Sequence, residues 1–428
     1  MVRLIKLPEH KHETENQAIE KMPLPALAYI HLSQHLGKIC EPEIKIQDIV
    51  LRGQKVASVK AHVSSPIHAS ISGKVTAIED WPHPVLGRCK AIVIENDGAD
   101  RALDQERRRA PEEINSLTPD QIRNIVFEAG IVGMGGASFP THIKLNPPKP
   151  VDTLIINGAE CEPYLTGDYR LMVEKTEEIL SGIELVAKCL GVNKVYIAIE
   201  DNKPEAIKAF NAICDKRYVI SVLKSEYPQG GEKQLIKGIL GREVPRGRLP
   251  FDVGVVVHNV ATIFAIYEAI YTNKPLYERV VTVTGSCLSN PKNLLVRIGT
   301  PIKELIGYCG PLEEEPAKII IGGPMMGIAQ YTTDVAVIKS TTGIVLMGKE
   351  EAAIAEEEFC IRCGACVRAC PAGLMPCLIN LASEKELWTE SKAYSALDCI
   401  ECGLCNYVCP ARRKLTQSIK RAKLEISK

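Results

Sequence analysis

A chain of 428 residues with 46% hydrophobic content is long and apolar enough to bury the cores of several domains. Lysine plus arginine equals aspartate plus glutamate at 52 each, a balance that argues against nucleic acid or an acidic membrane surface as the main partner. No run of about 20 apolar residues occurs, and the opening MVRLIKLPEHKHETEN lacks the apolar stretch of a secretory signal, so the chain reads as cytoplasmic with a peripheral membrane role open.

Residues 40–96 read as short strands and tight turns. In 46–54 and 65–75, apolar residues alternate with polar ones and are punctuated by glycine and proline, as in a small all-β unit. The pattern resembles the barrel-sandwich hybrid of biotinyl and lipoyl domains, without a lysine in the cofactor-bearing turn, so a structural module is expected. The charged stretch 101–112 reads as a linker. Thr118, Pro119 and Asp120 then start a helix, with apolar residues at 122, 125, 126 and 129 and Gly130 at its end.

From there to about 273, apolar strands (153–157, 194–200, 218–223, 253–258) alternate with helical patterns (170–190, 204–214, 231–240, 260–273). Such alternation predicts an α/β layered domain with a largely parallel sheet. Residues 279–345 return to short β-rich pieces at 280–284, 294–298, 318–321 and 336–338, fitting a small α+β domain. An acidic stretch, 350–358, leads into a cysteine-rich end.

Eight of the 16 cysteines fall in two matching runs. Cys360, Cys363, Cys366 and Cys370 precede Pro371; Cys399, Cys402, Cys405 and Cys409 precede Pro410. Each run has the spacing of a bacterial ferredoxin, in which the fourth cysteine ligates the other cluster. Two [4Fe–4S] clusters are therefore expected, one on Cys360, Cys363, Cys366 and Cys409, the other on Cys399, Cys402, Cys405 and Cys370. Gly364, Ala365 and Gly403 are small enough for the chain to wrap each cubane. Two zinc sites are the plainer alternative, but zinc takes four ligands per site and commonly uses separated two-cysteine knuckles. Cys40, Cys89, Cys161, Cys189, Cys214, Cys287, Cys309 and Cys377 read as ordinary thiols.

Three polar loops in the α/β part are candidate ligand sites. Gly133, Gly135 and Gly136 lie in GMGGASFPT, where backbone can approach an anion or a flat ring. Asn157, Glu160 and Glu162 lie in NGAECEPY after an apolar strand, where α/β sheets hold ligands. Gly231 and Glu232 open a helix whose amides can face an anion. Each is also explained by a solvated turn.

GMGGASFPT, NGAECEPYLTGDYRLM, QGGEKQLIKGILGREVP and HNVAT, followed by the two cysteine runs, resemble the RnfC family of the Rnf complex, a membrane-bound ferredoxin:NAD oxidoreductase coupled to sodium or proton transport. LSQHLGK, SPIHASISGKV and IIIGGPMMG extend the resemblance over nearly the whole chain. The α/β part is also similar to the NADH-binding flavoprotein subunit of respiratory complex I. That resemblance implies FMN and NAD(H) sites drawing on Gly133, Gly135, Gly136, Phe139, Asn157, Glu160, Glu162, Gly231, Glu232, Asn259 and Thr262, with NADH stacked on FMN near Phe139. Met134, Ala159 and Lys233 depart from complex I, which has arginine, aspartate and glutamate there. Residues 279–328 resemble the β-grasp (SLBB) domain of both families.

The resemblance implies a multidomain α/β and α+β chain. A barrel-sandwich-like domain would span 1–100, a complex I flavoprotein-like α/β domain 113–275, a β-grasp domain 279–345 and a two-cluster ferredoxin-like helical domain 350–428. It also implies membrane subunits and a ferredoxin-accepting iron–sulfur subunit as partners, at the cytoplasmic face of the cell membrane. A cobalamin reductase of propanediol utilisation shares the domain order, and a flavin-free electron-transfer adaptor is a further alternative.

Overall fold

The computed structural model describes residues 4–103, 107–215, 217–352 and 356–428. Part of the expected linker (104–106) and of the acidic stretch (353–355) lies outside the described residues. Near the N-terminus, one sheet orders Leu27–His31, Gly87–Asn96, Gly73–His83 and Ile49–Val50, and a second orders Glu41–Pro42, Lys55–Ser58 and Ile67–His68. Ile30, Val50, Val75, Ile92 and Ile94 from the first share one core with Val56 and Ile67 from the second. Strand alternation makes this possible: Val75 pairs with Ile94 inward, while the neighbouring Lys74–Glu95 pair faces water.

The central sheet is parallel throughout, in the order Tyr218–Leu223, Lys194–Glu200, Thr153–Gly158, Val255–Asn259. Leu154, Ile156, Ile197 and Ile199 pack on one side against Ile122, Val126, Ile183 and Ile263. Ile155, Ala198, Val255 and Val257 pack on the other against Leu235 and Ile236. A strand covered on both faces must be apolar at nearly every position, which is why the inner strands read as continuous runs. The helix Pro119–Glu128 starts with the expected cap, and Gln121 completes a reciprocal capping box with Thr118.

The helix expected over 170–190 is two helices, Gly167–Glu174 and Thr176–Leu190. Lys175 lies between them at φ −131°, and the Thr176 hydroxyl donates to the Met172 carbonyl at 2.7 Å, satisfying an acceptor that the break would strand.

The third sheet has the order Ile19–Lys21, Lys292–Arg297, Glu278–Thr284, Gly343–Met347, Lys318–Ile321, Ile328–Ala329, with the helix Ile302–Tyr308 packed on its core. Its first strand comes from the N-terminal segment and pairs in parallel with 293–295. The strand expected at 336–338 is absent. Ala336 makes one bridge to Pro301, and the Val337 amide and carbonyl bond to Thr300 and Gly299. That run is apolar because it is buried, not because it belongs to a ladder.

The C-terminal module is helical, with Pro376–Glu384, Trp388–Ala393 and Leu415–Ile426 around Leu374, Ile379, Ala396 and Ile419. Among the described residues, no helix is long and apolar enough to cross a membrane.

Candidate functional site

From Thr153–Gly158 the parallel sheet grows in one direction, then the chain returns to that strand's other side with Val255–Asn259. The carboxyl ends of these two strands meet at this reversal, the place where open α/β sheets hold ligands. Asn157 and Asn259 pair in register there. The Asn157 carboxamide donates to the Gly230 carbonyl at 2.9 Å and accepts from the Ala159 amide at 3.1 Å, tying the 229–231 loop to the strand end. Asn259 caps the helix Val260–Tyr271 by accepting from the amides of Ala261 (2.9 Å) and Thr262 (3.4 Å). Its amide nitrogen donates to Asp168 at 2.5 Å.

The glycine loop lies over the same helix start. The Met134 amide donates to the Thr262 hydroxyl at 2.9 Å, and the Gly133 amide closes the loop onto the Phe139 carbonyl at 2.9 Å. A Cβ added to Gly135 would lie 3.2 Å from the Asn259 Cβ, whereas Gly136, at φ +136°, faces open space. Gly133, Gly135, Gly136, Asn157, Gly231, Asn259 and Thr262 are thus gathered at one end of one sheet, and Phe139 is half-buried at the loop's return.

The acidic residues sit differently. Glu160, at φ +47°, turns its carboxylate onto the amides of Asp168 (2.7 Å) and Tyr169 (3.0 Å) at the start of Gly167–Glu174, where the helix dipole favours negative charge. Glu162 accepts from the amides of Met325 (2.7 Å) and Met326 (3.0 Å), so it joins the α/β domain to the GGPMMG loop of the third sheet; burial pushes its pKa up. Glu232 pairs with Lys144 at 2.6 Å and keeps about a third of its side chain in solvent. Glu160 and Glu162 therefore spend their carboxylates on the protein, and Glu232 points one toward water.

Three neighbours of the site carry no signal in the motifs that flag it. The buried Lys11 amine donates to the carbonyls of Glu160 (2.8 Å), Glu162 (3.1 Å) and Leu165 (2.5 Å), clamping the loop from the N-terminal segment. Asp168 is pushed up to about 7 by burial and then by the charge of Glu160, against the Asn259 hydrogen bond and the charge of Arg279. Tyr227, fully buried, donates its hydroxyl to the Cys402 carbonyl at 2.8 Å. Asp168 stands inside the NGAECEPYLTGDYRLM stretch, with nothing in the sequence to set it apart; Lys11 and Tyr227 become visible only through contacts 149 to 175 residues away.

The site fits a flat ring with donors on its edge. Gly135 and Gly136 leave backbone exposed where side chains would block approach, and the Gln229 side-chain oxygen is buried without a hydrogen-bond partner at the same loop cluster. The clefts lined by Lys55 and Glu128, and by Glu184 and Lys188, lie away from these strand ends.

At the C-terminal module, Cys370, Cys399, Cys402 and Cys405 line one cavity together with Leu374 and Ile419. This grouping crosses the two runs. Among the described residues, no three His, Cys, Asp or Glu side chains converge closely enough to hold a single ion; these four sulfurs surround a space instead. Burial pushes Cys402 up to about 12 and Cys405 up to about 11, so thiolate charge here calls for a cationic core beside it. In the other half, Cys366 and Cys409 pack with Leu415, while Cys360 and Cys363 are exposed. The wrap repeats: Arg362 and Glu401 both have φ +58°, and Gly364 and Gly403 have φ +72° and +77°. Two non-glycine residues in the left-handed region at equivalent positions are strain held in common by both runs.

The cluster module docks beside the sheet end. Tyr227, Leu7, Cys402 and Leu404 form one apolar cluster, flanked by Cys161 and Met325. A Cβ on Gly403 would lie 2.7 Å from the Met325 carbonyl, so backbone meets backbone at this junction.

Family models match in the same order: the RnfC barrel sandwich hybrid domain over residues 3–99, the Nuo51 FMN-binding domain over 126–268, the SLBB domain over 280–329 and the 4Fe-4S dicluster domain over 359–412. The chain is 48% identical over 421 residues to the C subunit of the proton-translocating ferredoxin:NAD(+) oxidoreductase complex of Clostridium ljungdahlii, covering 97% of this chain and 92% of that one. It belongs to this RnfC family. The Na(+)-translocating counterpart of Acetobacterium woodii is 46% identical over 98% of this chain and 95% of its own. The corresponding component of the ion-translocating oxidoreductase complex of Rhodobacter capsulatus is 46% identical over 87% and 72%. An NAD+-reducing [NiFe]-hydrogenase in the H2-reduced state is similar at 17% identity and TM-score 0.49, covering 74% of this chain and 67% of that one, a likeness too loose to bear on the assignment. The expected multidomain α/β and α+β architecture, with a flavin domain and a two-cluster domain, is thus the family's own, and its members are subunits of a larger complex.

Proposed function

We propose that this chain is the electron-transfer subunit of a membrane-associated ferredoxin:NAD oxidoreductase, exchanging electrons between NAD(H), FMN and two [4Fe–4S] clusters while partner subunits transport Na+ or H+. The observation that carries this reading is the junction of two sites. A glycine-lined sheet end and a four-thiol cage meet through Tyr227 and Cys402. FMN, when bound, supplies the exchange between two-electron hydride chemistry and the single-electron steps that clusters require.

Gly133, Gly135 and Gly136 give the ring its approach, Asn157, Asn259 and Thr262 fix the loops around it, and Phe139 flanks the nicotinamide. Glu160 and Glu162 serve by holding their loops, whereas Glu232 and Gly231 offer the nucleotide a carboxylate and a helix start. Cys360, Cys363, Cys366 and Cys409 ligate one cluster; Cys370, Cys399, Cys402 and Cys405 ligate the other. The chain divides functionally at 1–100, 113–275, 279–345 and 350–428. It sits peripherally at the cytoplasmic face of the membrane, against membrane subunits and a ferredoxin-accepting iron–sulfur subunit.

The test is anaerobic reconstitution of the full chain with iron, sulfide and FMN, followed by NADH. Bleaching of the flavin absorbance is expected. No bleaching together with no binding of NAD analogues overturns the nucleotide site. Gly135→Val, which forces a branched side chain onto Asn259, should lose FMN and keep both clusters; loss of clusters with FMN retained contradicts the division of labour.

A further inference from the structure

The two halves of the cluster module share more than their cysteine spacing. Cys366 and Cys405 are each the second residue of a short helix, Ala365–Ala369 and Leu404–Tyr407, entered through a left-handed glycine. Eleven residues after Cys405 comes Thr416, whose hydroxyl lies 3.4 Å from the Cys405 sulfur. At the same offset after Cys366 comes Cys377, which packs with Cys366 in the apolar cluster around Leu415. Thr416 and Cys377 are each the second residue of the longer helix that follows, Leu415–Ile426 and Pro376–Glu384. Cys366, Cys405, Cys377 and Cys409 pack together around Leu415. Cys377 is thus no stray thiol; it occupies the position that Thr416 occupies in the other half.

We infer that Cys377 and Thr416 are matched hydrogen-bond donors to the third sulfur of each run, positioning residues that raise the reduction potential of the cluster each sulfur ligates. On reduction, a cluster gains negative charge that spreads onto its sulfurs. A donor aimed at a ligand sulfur strengthens as that charge grows, so it stabilises the reduced form more than the oxidised form. Geometry permits this role without ligation: the eight run cysteines already satisfy two cubanes, and Thr416 is a poor iron ligand at the equivalent place. The two donors differ in kind. A hydroxyl donates more strongly than a thiol, and the Thr416 amide is spent on Asn406 at 2.8 Å.

The inference rests on the assignment of both runs to clusters, and its test separates the two. The reconstituted full chain is titrated potentiometrically under spin-resonance detection, comparing wild type with Cys377→Ala, Cys377→Thr and Thr416→Val. Cys377→Ala should shift the reduced-to-oxidised ratio of one cluster toward oxidised by roughly three- to ten-fold; ten-fold is about 59 mV for one electron. Thr416→Val should shift the other cluster in the same direction and leave the first in place. Cys377→Thr should restore or exceed the wild-type potential, which a merely structural role would not do. Two intact clusters with unchanged potentials in all three variants overturn the inference. So does a changed cluster type or line shape in Cys377→Thr with the Cys366→Ala variant still holding four irons there, which makes Cys377 a ligand. A wild-type sample without clusters fails the earlier assignment instead. If the alanine variant loses its cluster, the threonine variant decides: no upward recovery refutes the donor role.

Discussion

Asn259→Ala is the sharpest single probe of the sheet end. Alanine keeps the Cβ that approaches Gly135 and removes only the carboxamide, so loop packing is spared. The carboxamide serves two functions: its oxygen caps Val260–Tyr271, and its nitrogen is a donor to Asp168 at 2.5 Å. Loss of the cap costs about 1 kcal/mol. A carboxylate left short of a donor in a place of low water access costs about 1–3 kcal/mol more. Local opening of the helix start should therefore become easier by about 2–4 kcal/mol, or roughly thirty- to several-hundred-fold in amide exchange. Hydrogen exchange read at Ala261, Thr262 and Met134 is the assay, with flavin content measured on the same sample. Asn259→Asp should keep the cap yet place a second carboxylate against Asp168, so it should protect Ala261 while weakening the site as pH rises. Unchanged exchange at 261–262 in Asn259→Ala, with flavin retained, would refute the account of Asn259 as the post that joins strand, helix and loop.

Other consequences follow from single contacts. Asp168 has its pKa raised in the fold to about 7, from an ordinary value of 3.8, so the native state holds a proton that the unfolded chain releases. Stability from this group is full at low pH and is lost as pH climbs from about 4 through about 7; melting temperature should fall over that window, and Asp168→Asn should flatten the slope. Lys11→Met strands three carbonyl acceptors, at Glu160, Glu162 and Leu165, and should cost about 2–4 kcal/mol and loosen the 159–166 loop to limited proteolysis. Equal cleavage of variant and wild type would show that the clamp is idle. Tyr227→Phe removes the hydroxyl bond to Cys402 at a cost of about 1 kcal/mol and should raise exchange at 402–405 without loss of clusters; unchanged exchange there would mean the module is held by packing alone.

Strands such as Thr153–Gly158 and Lys194–Glu200 were legible because a strand covered on both faces announces itself as a nearly unbroken apolar run between polar turns. The break at Lys175 was not, because Thr176 is compatible with a helix and only its bond back to Met172 reveals a new start. Residues 336–338 misled for the opposite reason: burial alone makes a sequence look like a strand. The partners of Ile19–Lys21 lie some 270 residues away, beyond any local signal. At the candidate site, cysteine spacing carried the cluster reading because geometry around a cubane dictates it. The match of Cys377 with Thr416 stayed hidden because two different residue types do one job at one offset.

A cofactor inventory of the anaerobically purified full chain tests the central claim most directly. Two cubanes and one ring predict about eight irons and eight sulfides per chain, one FMN, and two one-electron waves in the reduced spectrum. Zinc in the thiol cages, or clusters with no flavin after gentle isolation, would contradict it.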